Sequence, residues 1–366
     1  MRRACVVTLK FATAKKRNAI NALLQAYRAA VNFYIESLWN EKGKLDKQAL
    51  ERLSSNDTRL SERYKSNALR QALSIVILTK KLAKAIKKPC SMPVFKGDIV
   101  LDAKFITIEE AKNLKGFNVI IKLSSLKKYN KIIIPTKKTK ILNKWLDFEN
   151  AKIIHGCSLS EDKLTLWVDI PDREPKETGN NLGVDIGVNK ILTTSEGQFI
   201  GTEFKELRQK IQRKQKNSKA YKRALKERNN YLNCCVNKLP WSEIKLLVIE
   251  DLKNLKKGKS NKRNKTFRKA MMPWSYRQAI EALKNKAEEN RVYLQKVDPA
   301  YTSRICPSCE KVSSSNRKGE KFMCVSCGFQ QDADVVGAYN ILVRALRLVG
   351  SVESPTLLKN LTNNDC

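Results

Sequence analysis

The chain alternates between two hydrophobic periods, and the switch points divide it. Residues 1–10 alternate as a strand, and from Ala14 the spacing becomes helical, with Ile20, Leu23, Leu24, Tyr27, Val31, Tyr34 and Leu38 on one face. A second helix is predicted from about Glu62 to Ile86, its apolar stripe running through Ala68, Leu69, Ala72, Leu73 and Val76. Its opposite stripe carries Arg63, Asn67, Arg70, Gln71 and Ser74, which by default is a solvated face. Between Pro93 and Pro171 the period shortens to that of strands: 105–108, 118–123, 131–134 and 164–170. Short strands at this spacing predict a small barrel or sandwich. The polar stretch PDREPKETGNN, residues 171–181, reads as a linker.

After the linker the pattern is that of an α/β domain. LGVDIGV is a short apolar strand, ILTTS and GQFIG form a hairpin about SEG, and IKLLVIE is a continuous apolar strand. Two basic runs interrupt this part. Residues 205–228 hold eleven Lys/Arg and enough Leu, Ile and Ala spacing for a helix, whereas residues 253–269 hold nine Lys/Arg, no acid and a loop-like composition.

Charge then narrows the class of partner. The 366 residues carry 72 Lys+Arg against 36 Asp+Glu, a net +36, with an ordinary apolar share of 42 %. So much like charge repels itself unless a polyanion relieves it, and nucleic acid does so with release of its counterions. A basic run between two core strands is better explained by a phosphate backbone than as a solvated tail. No apolar run is long enough to span a bilayer, and the apolar stretch after MRR ends at Lys10, too short for a signal peptide. A cytoplasmic location without membrane association is expected. The single histidine, His155, lies in the apolar run AKIIHGC, which argues against enzymes built on histidine pairs or a histidine base in a metal motif. That favours metal-bound carboxylates over histidine chemistry.

Three carboxylates fit that chemistry. Asp185 lies inside an apolar strand, where a charge costs several kcal/mol unless a cation neutralises it. Glu250 ends the strand LLVI, where α/β sites form, and the adjacent Asp251 would point to the opposite side. Asp334 opens the apolar helix DADVVGAYNILVRAL, whose Gly337 and Ala338 permit close packing. A helix N-cap is a sufficient reason for Asp334, unless Asp332 takes that role and leaves Asp334 to face a metal. Three carboxylates converging on one point would hold Mg²⁺ or Mn²⁺, the two-ion arrangement of phosphodiester hydrolysis.

The cysteines separate into two kinds. Cys306/Cys309 and Cys324/Cys327 are C-x2-C pairs fourteen residues apart, the spacing of a zinc ribbon with one structural Zn²⁺. Gly328 lets the second knuckle turn tightly, and four thiolates leave no open position for catalysis. Cys5, Cys90, Cys157, Cys234, Cys235 and Cys366 read as ordinary thiols of a reducing compartment.

In order, GVDIGVNK, LLVIEDLKNL, DPAYTSRICPSC, MCVSCGF and DADVVGAYNIL resemble the TnpB (OrfB) nucleases of prokaryotic insertion sequences, to which compact type V CRISPR effectors are similar. The resemblance covers about 181–345, and residues 1–180 share only the layout. It implies an RNase H-like (RuvC-type) nuclease domain over 176–300 and 330–350, with a zinc ribbon inserted at 301–329. It further implies a wedge β-barrel from 1–10 and 87–175, a helical recognition insert at 11–86, and a tail at 351–366 expected to be disordered. Catalytic roles fall to Asp185, Glu250 and Asp334, and zinc to the four paired cysteines. The implied partners are a guide RNA and a double-stranded DNA target with a short adjacent motif, bound by a monomer. Asn67, Arg70 and Gln71 lie where such proteins read that motif, and Asn or Gln can pair bidentately with adenine. Lys257, Lys262, Arg263 and Arg304 are further expected nucleic-acid contacts. Rival readings are a guide-dependent DNA-binding repressor, a transposase proper and a junction-resolving nuclease that needs no RNA.

Overall fold

The computed structural model describes residues 1–40, 60–111, 115–126, 130–251 and 276–348, with His155 in its backbone only. The basic segment 253–269, with Lys257, Lys262 and Arg263, and the tail 351–366 lie outside the described residues. The chain divides into two compact units, Met1–Asp172 and Arg173–Cys366.

In the first unit, strand β1 (Arg2–Thr8) leads into helix α1 (Ala14–Asn40), followed by α2 (Glu62–Ile86). The two helices pack through the stripes their spacing predicts, burying Leu23, Tyr27, Val31 and Tyr34 with Ala68, Leu69, Ala72 and Val76. Strands β2 (Ile99–Asp102), β3 (Ile106–Glu110), β4 (Val119–Ser124) and β5 (Lys131–Thr136) follow, then a short helix α3 (Lys140–Leu146), β6 (Lys152–Leu159) and β7 (Lys163–Asp169). They form two antiparallel sheets, ordered β1-β7-β6-β2 and β3-β4-β5, whose inward residues share one core with the helices. Strand β6 was readable only as the apolar run around His155, and β2 and α3 had too few periodic positions to announce themselves.

The second unit is built on a five-stranded sheet ordered β10-β9-β8-β11-β12. Strand β8 (Asn180–Asp185) pairs antiparallel with β9 (Leu192–Thr194), and β9 with β10 (Phe199–Ile200), through the expected turn at Ser195-Glu196-Gly197. On its other side β8 runs parallel to β11 (Ile244–Glu250), which runs parallel to β12 (Tyr293–Val297). The basic run expected as one helix is two, α4 (Phe204–Gln212) and α5 (Lys219–Asn237). The break falls where Asn217 takes a positive φ of 68° and the Ser218 hydroxyl accepts from the Tyr221 N–H at 3.0 Å, restarting the helix with a new cap. Helix α6 (Tyr276–Glu289) precedes β12, and α7 (Ala333–Leu348) ends the described chain.

Strand alternation decides which residues meet which helices. Leu182, Val184, Leu247 and Ile249 face one side, in a core with Leu232 and Val236 of α5 and Leu283 of α6. Val248 faces the other, against Ile341, Leu342 and Ala345 of α7, so Gly183, Asp185 and Glu250 share that second face by periodicity. There the helix comes very close. A Cβ added at Gly183 would overlap the Ala338 carbonyl oxygen and lie 2.8 Å from Leu342 Cβ. Gly183→Ala should therefore lower unfolding stability in urea by about 1–3 kcal/mol, the usual cost of overpacking, while parent-like stability would mean that α7 does not lie on β8 in this way.

Candidate active site

Register and alternation bring the first two carboxylates together. Parallel pairing of Val184 with Ile249 sets Asp185 beside Glu250 at the C-terminal ends of neighbouring strands. The Asp185 carboxylate lies against α7 at its most open point: a Cβ on Gly337 would stand 3.3 Å from Asp185 Oδ2. Any larger residue at 337 would press on that oxygen. The neighbouring Asp251 N–H donates to the Val297 carbonyl at 2.8 Å.

Asp334 reaches the same face from the start of α7. The cap is Asp332, whose Oδ1 accepts from the N–H groups of Asp334 at 2.9 Å and Val335 at 3.4 Å, so the Asp334 side chain is free of capping. Instead it takes Arg317 Nη2 at 2.9 Å and stands 3.6 Å from Lys190 Nζ, which also binds Asp332 Oδ2 at 2.7 Å. All four side chains are largely enclosed. Asp185 feels the charges of Glu250 and Asp334, but the three carboxylates do not close to a common ligand spacing; among the described residues only the four paired cysteines do, with all ligand atoms within 4.8 Å.

The electrostatics reflect this crowding. Burial, then the charges of Glu250 and Asp334, push the Asp185 carboxyl up to about 7, against the opposing pull of Arg317. Burial also raises Glu250, with the Asp298 charge adding to it, while the Thr302 hydroxyl and the charges of Arg344 and Arg317 work the other way. Dry, mutually repelling oxygen donors are the donor set that Mg²⁺ or Mn²⁺ prefers.

Between β12 and α7 sits the cysteine-bearing insert, a sheet of β13 (Arg317–Lys318), β14 (Lys321–Met323) and β15 (Gln330–Asp332). Cys306 Sγ lies 3.6 Å from Cys327 Sγ, and Cys309 Sγ 3.5 Å from Cys324 Sγ, close to the edge of a tetrahedron with Zn–S bonds of about 2.3 Å. The two knuckles repeat one design. Glu310 N–H returns to the Cys306 carbonyl at 3.0 Å and Gly328 N–H to that of Cys324 at 3.1 Å, with positive φ of 59° and 75°. Backbone N–H groups of Cys327 and Ser326 aimed at Cys324 Sγ bring that thiol down to about 6, favouring the thiolate a metal needs. The cysteines thus fit a structural zinc.

The expected nucleic-acid contacts divide. The Asn67 amide donates to the Tyr27 hydroxyl and to the Val100 carbonyl, both at 2.7 Å, and Gln71 Oε1 accepts from Tyr27 at 3.1 Å. These amides tie α1, α2 and β2 together within the unit, whereas Arg70 and Arg304 are exposed. On α4 and α5, Lys205, Lys210, Arg213, Lys222, Arg223 and Lys226 all face solvent. Sequence reasoning missed Lys190, Arg317, Asp298 and Thr302. Lys190 and Arg317 are lost among 72 basic residues, and Thr302 and Asp298 belong to no periodic pattern.

With this geometry in place, likeness to known proteins is informative. A family model described as the Cas12f1-like TNB domain matches residues 276–341. A TnpB-like protein of Methanocaldococcus jannaschii is 29 % identical over 294 residues, covering 71 % of this chain and 95 % of that protein. The CRISPR-associated endodeoxyribonuclease Cas12f1 of Sulfoacidibacillus thermotolerans is 38 % identical over 71 residues, 19 % of this chain and 17 % of that protein. Cas12f1 in a cryo-EM structure with sgRNA and target DNA superposes with a TM-score of 0.54 at 15 % identity, over 89 % of this chain and 81 % of that one. The fold of the chain is similar to that of Cas12f1. The resemblance to the TnpB family and its type V relatives holds.

The raised Asp185 carboxyl has a consequence for stability. An unfolded Asp ionises near pH 4, so between there and about 7 the metal-free native protein binds a proton that the unfolded chain has lost, and stability falls as pH rises. Asp185→Asn should stabilise the metal-free protein above pH 7, on the order of 4 kcal/mol, with the gain vanishing below pH 4. Melting curves across that range check it; a gain independent of pH would contradict the assignment.

Proposed function

We propose that this chain is an RNA-guided DNA endonuclease of the RuvC type, with Asp185, Glu250 and Asp334 as the ligands of its catalytic cations. The observation that carries the reading is the convergence of three carboxylates from β8, β11 and α7 on one face, with Asp185 driven toward neutrality by burial and by its two neighbours. Asp185, Glu250 and Asp334 would hold a pair of Mg²⁺ or Mn²⁺ ions, which would supply water activation and leaving-oxygen stabilisation for an in-line phosphodiester displacement. The chain's own groups hold and orient. Gly337 leaves room for the Asp185 carboxylate, Asp332 caps α7 so that Asp334 stays free of the helix end, and Arg317 and Lys190 offer positive charge to an approaching phosphate.

The partners follow from charge and from the relatives. Cas12f1 is seen with sgRNA and target DNA, and a net +36 with a solvent-facing basic surface on α4 and α5 suits such strands. In this reading residues 1–10 and 87–175 act as a wedge and 11–86 as a recognition insert that meets the motif beside the target. Arg70 is the exposed candidate there, with Arg304 and the lysines of 253–269 as further contacts. One zinc, held by Cys306, Cys309, Cys324 and Cys327, is structural. The protein works as a cytoplasmic monomer with its RNA.

The test is guided binding and cleavage on the same labelled duplex, using the RNA that copurifies. Asp185→Ala, Glu250→Ala and Asp334→Ala should each abolish cutting in Mg²⁺ while leaving target affinity unchanged or slightly higher, since each removes a charge that repels phosphate. If all three variants cut like the parent, the site is elsewhere. If the parent binds under guidance but cuts in neither Mg²⁺ nor Mn²⁺, the chain is a guided DNA-binding repressor.

A further inference from the structure

The loop between β12 and the first cysteine knuckle is held from two sides, and one residue in it touches the candidate site. Thr302 is buried, and its hydroxyl donates to Glu250 Oε1 at 2.5 Å, with the Pro299 carbonyl farther off at 3.2 Å. A hydroxyl has one hydrogen to give, and the ionised carboxylate at the shorter distance takes it. Glu250 stands at a strand end on a side chain with three free torsions, and this bond fixes one of its two carboxylate oxygens.

Thr302 is itself pinned. The Asn340 amide, largely buried, spends both hydrogens on this loop, donating to the carbonyls of Thr302 at 2.7 Å and Ile305 at 2.9 Å. Arg344, one turn on, donates to the Ala300 carbonyl at 2.8 Å. From the ribbon side, Asn316 donates to the Arg304 carbonyl at 2.9 Å. Helix α7 therefore carries Asp334 on its first turn and, two turns later, the amide that sets Thr302.

We propose that Thr302 is the positioning residue of Glu250, and that Asn340 and the ribbon hold it so that a carboxylate from β11 and one from α7 share a single rigid frame. The inference rests on the reading of Glu250 as a cation ligand. Groups that orient a ligating carboxylate tune its metal strongly, by about 10–100-fold in affinity or activity.

The experiment measures Mn²⁺ binding to the RNA-free, zinc-retaining full chain by electron paramagnetic resonance. In parallel, it measures the Mg²⁺ concentration for half-maximal cutting by the RNA-loaded chain. Thr302→Val, which keeps the shape and loses the hydroxyl, should weaken Mn²⁺ binding about 10-fold and raise the Mg²⁺ requirement likewise, with guided binding and zinc content unchanged. Thr302→Ser should restore both to near parent values, and Asn340→Ala should reproduce the valine effect. Thr302→Val matching the parent while Glu250→Ala loses Mn²⁺ would overturn the proposal and leave the carboxylate site standing. Serine failing as badly as valine would assign Thr302 to packing alone and also overturn it. Glu250→Ala binding Mn²⁺ and cutting like the parent would remove the carboxylate reading itself, and this inference with it.

Discussion

The second unit depends on one close approach, that of a helix backbone to a strand backbone. Gly183 on β8 and Gly337 on α7 present hydrogen where every other residue has a Cβ, so helix and sheet meet with almost nothing between them. Two things follow from that distance. The Asp185 carboxylate is enclosed beside the helix, which raises its affinity for a proton or a cation. Asp334, on the first turn of the same helix, is carried to within reach of the strand ends. A wider helix–sheet gap would leave three separate solvated acids.

The insert between β12 and α7 belongs to the same construction. Its sheet supplies Arg317 to Asp334, its first knuckle follows directly on the loop that bears Thr302, and its last strand, β15, runs into the cap residue Asp332. A small ribbon with little apolar core of its own is well suited to metal stapling, since four thiolates on one ion contribute folding free energy that Phe322 and a few neighbours would not supply. Rigidity gained there is passed to the carboxylates through hydrogen bonds to backbone carbonyls.

Much of this could be read from the residues, and the gaps have physical reasons. Long periodic segments were readable because many positions repeat the same message: α1 and α2 begin at Ala14 and Glu62, as their stripes require. The cysteine pairs and the strand acids announced themselves by spacing and by the cost of charge among apolar neighbours. The division of the basic run at Asn217 was not readable, because local cap chemistry, rather than the hydrophobic period, ends α4. Asn67 and Gln71 show the limit most clearly. A polar stripe on a helix looks the same whether it meets nucleic acid or the Tyr27 hydroxyl, and only the fold tells them apart. Thr302 lies in the segment DPAYTSRICPSC, but its bond to Glu250 was not readable, since that partner lies 52 residues away in sequence.

On the proposed reading, the face shared by β8, β11 and α7 holds divalent cations against a phosphodiester. Crystals of the protein with Mn²⁺, measured at the manganese absorption edge, test it most directly. Anomalous density is expected among the carboxylates of Asp185, Glu250 and Asp334, with Arg317 released from Asp334 as the cation takes its place. Manganese bound elsewhere while Asp334 keeps its ion pairs with Arg317 and Lys190, at concentrations that support cutting, would contradict it.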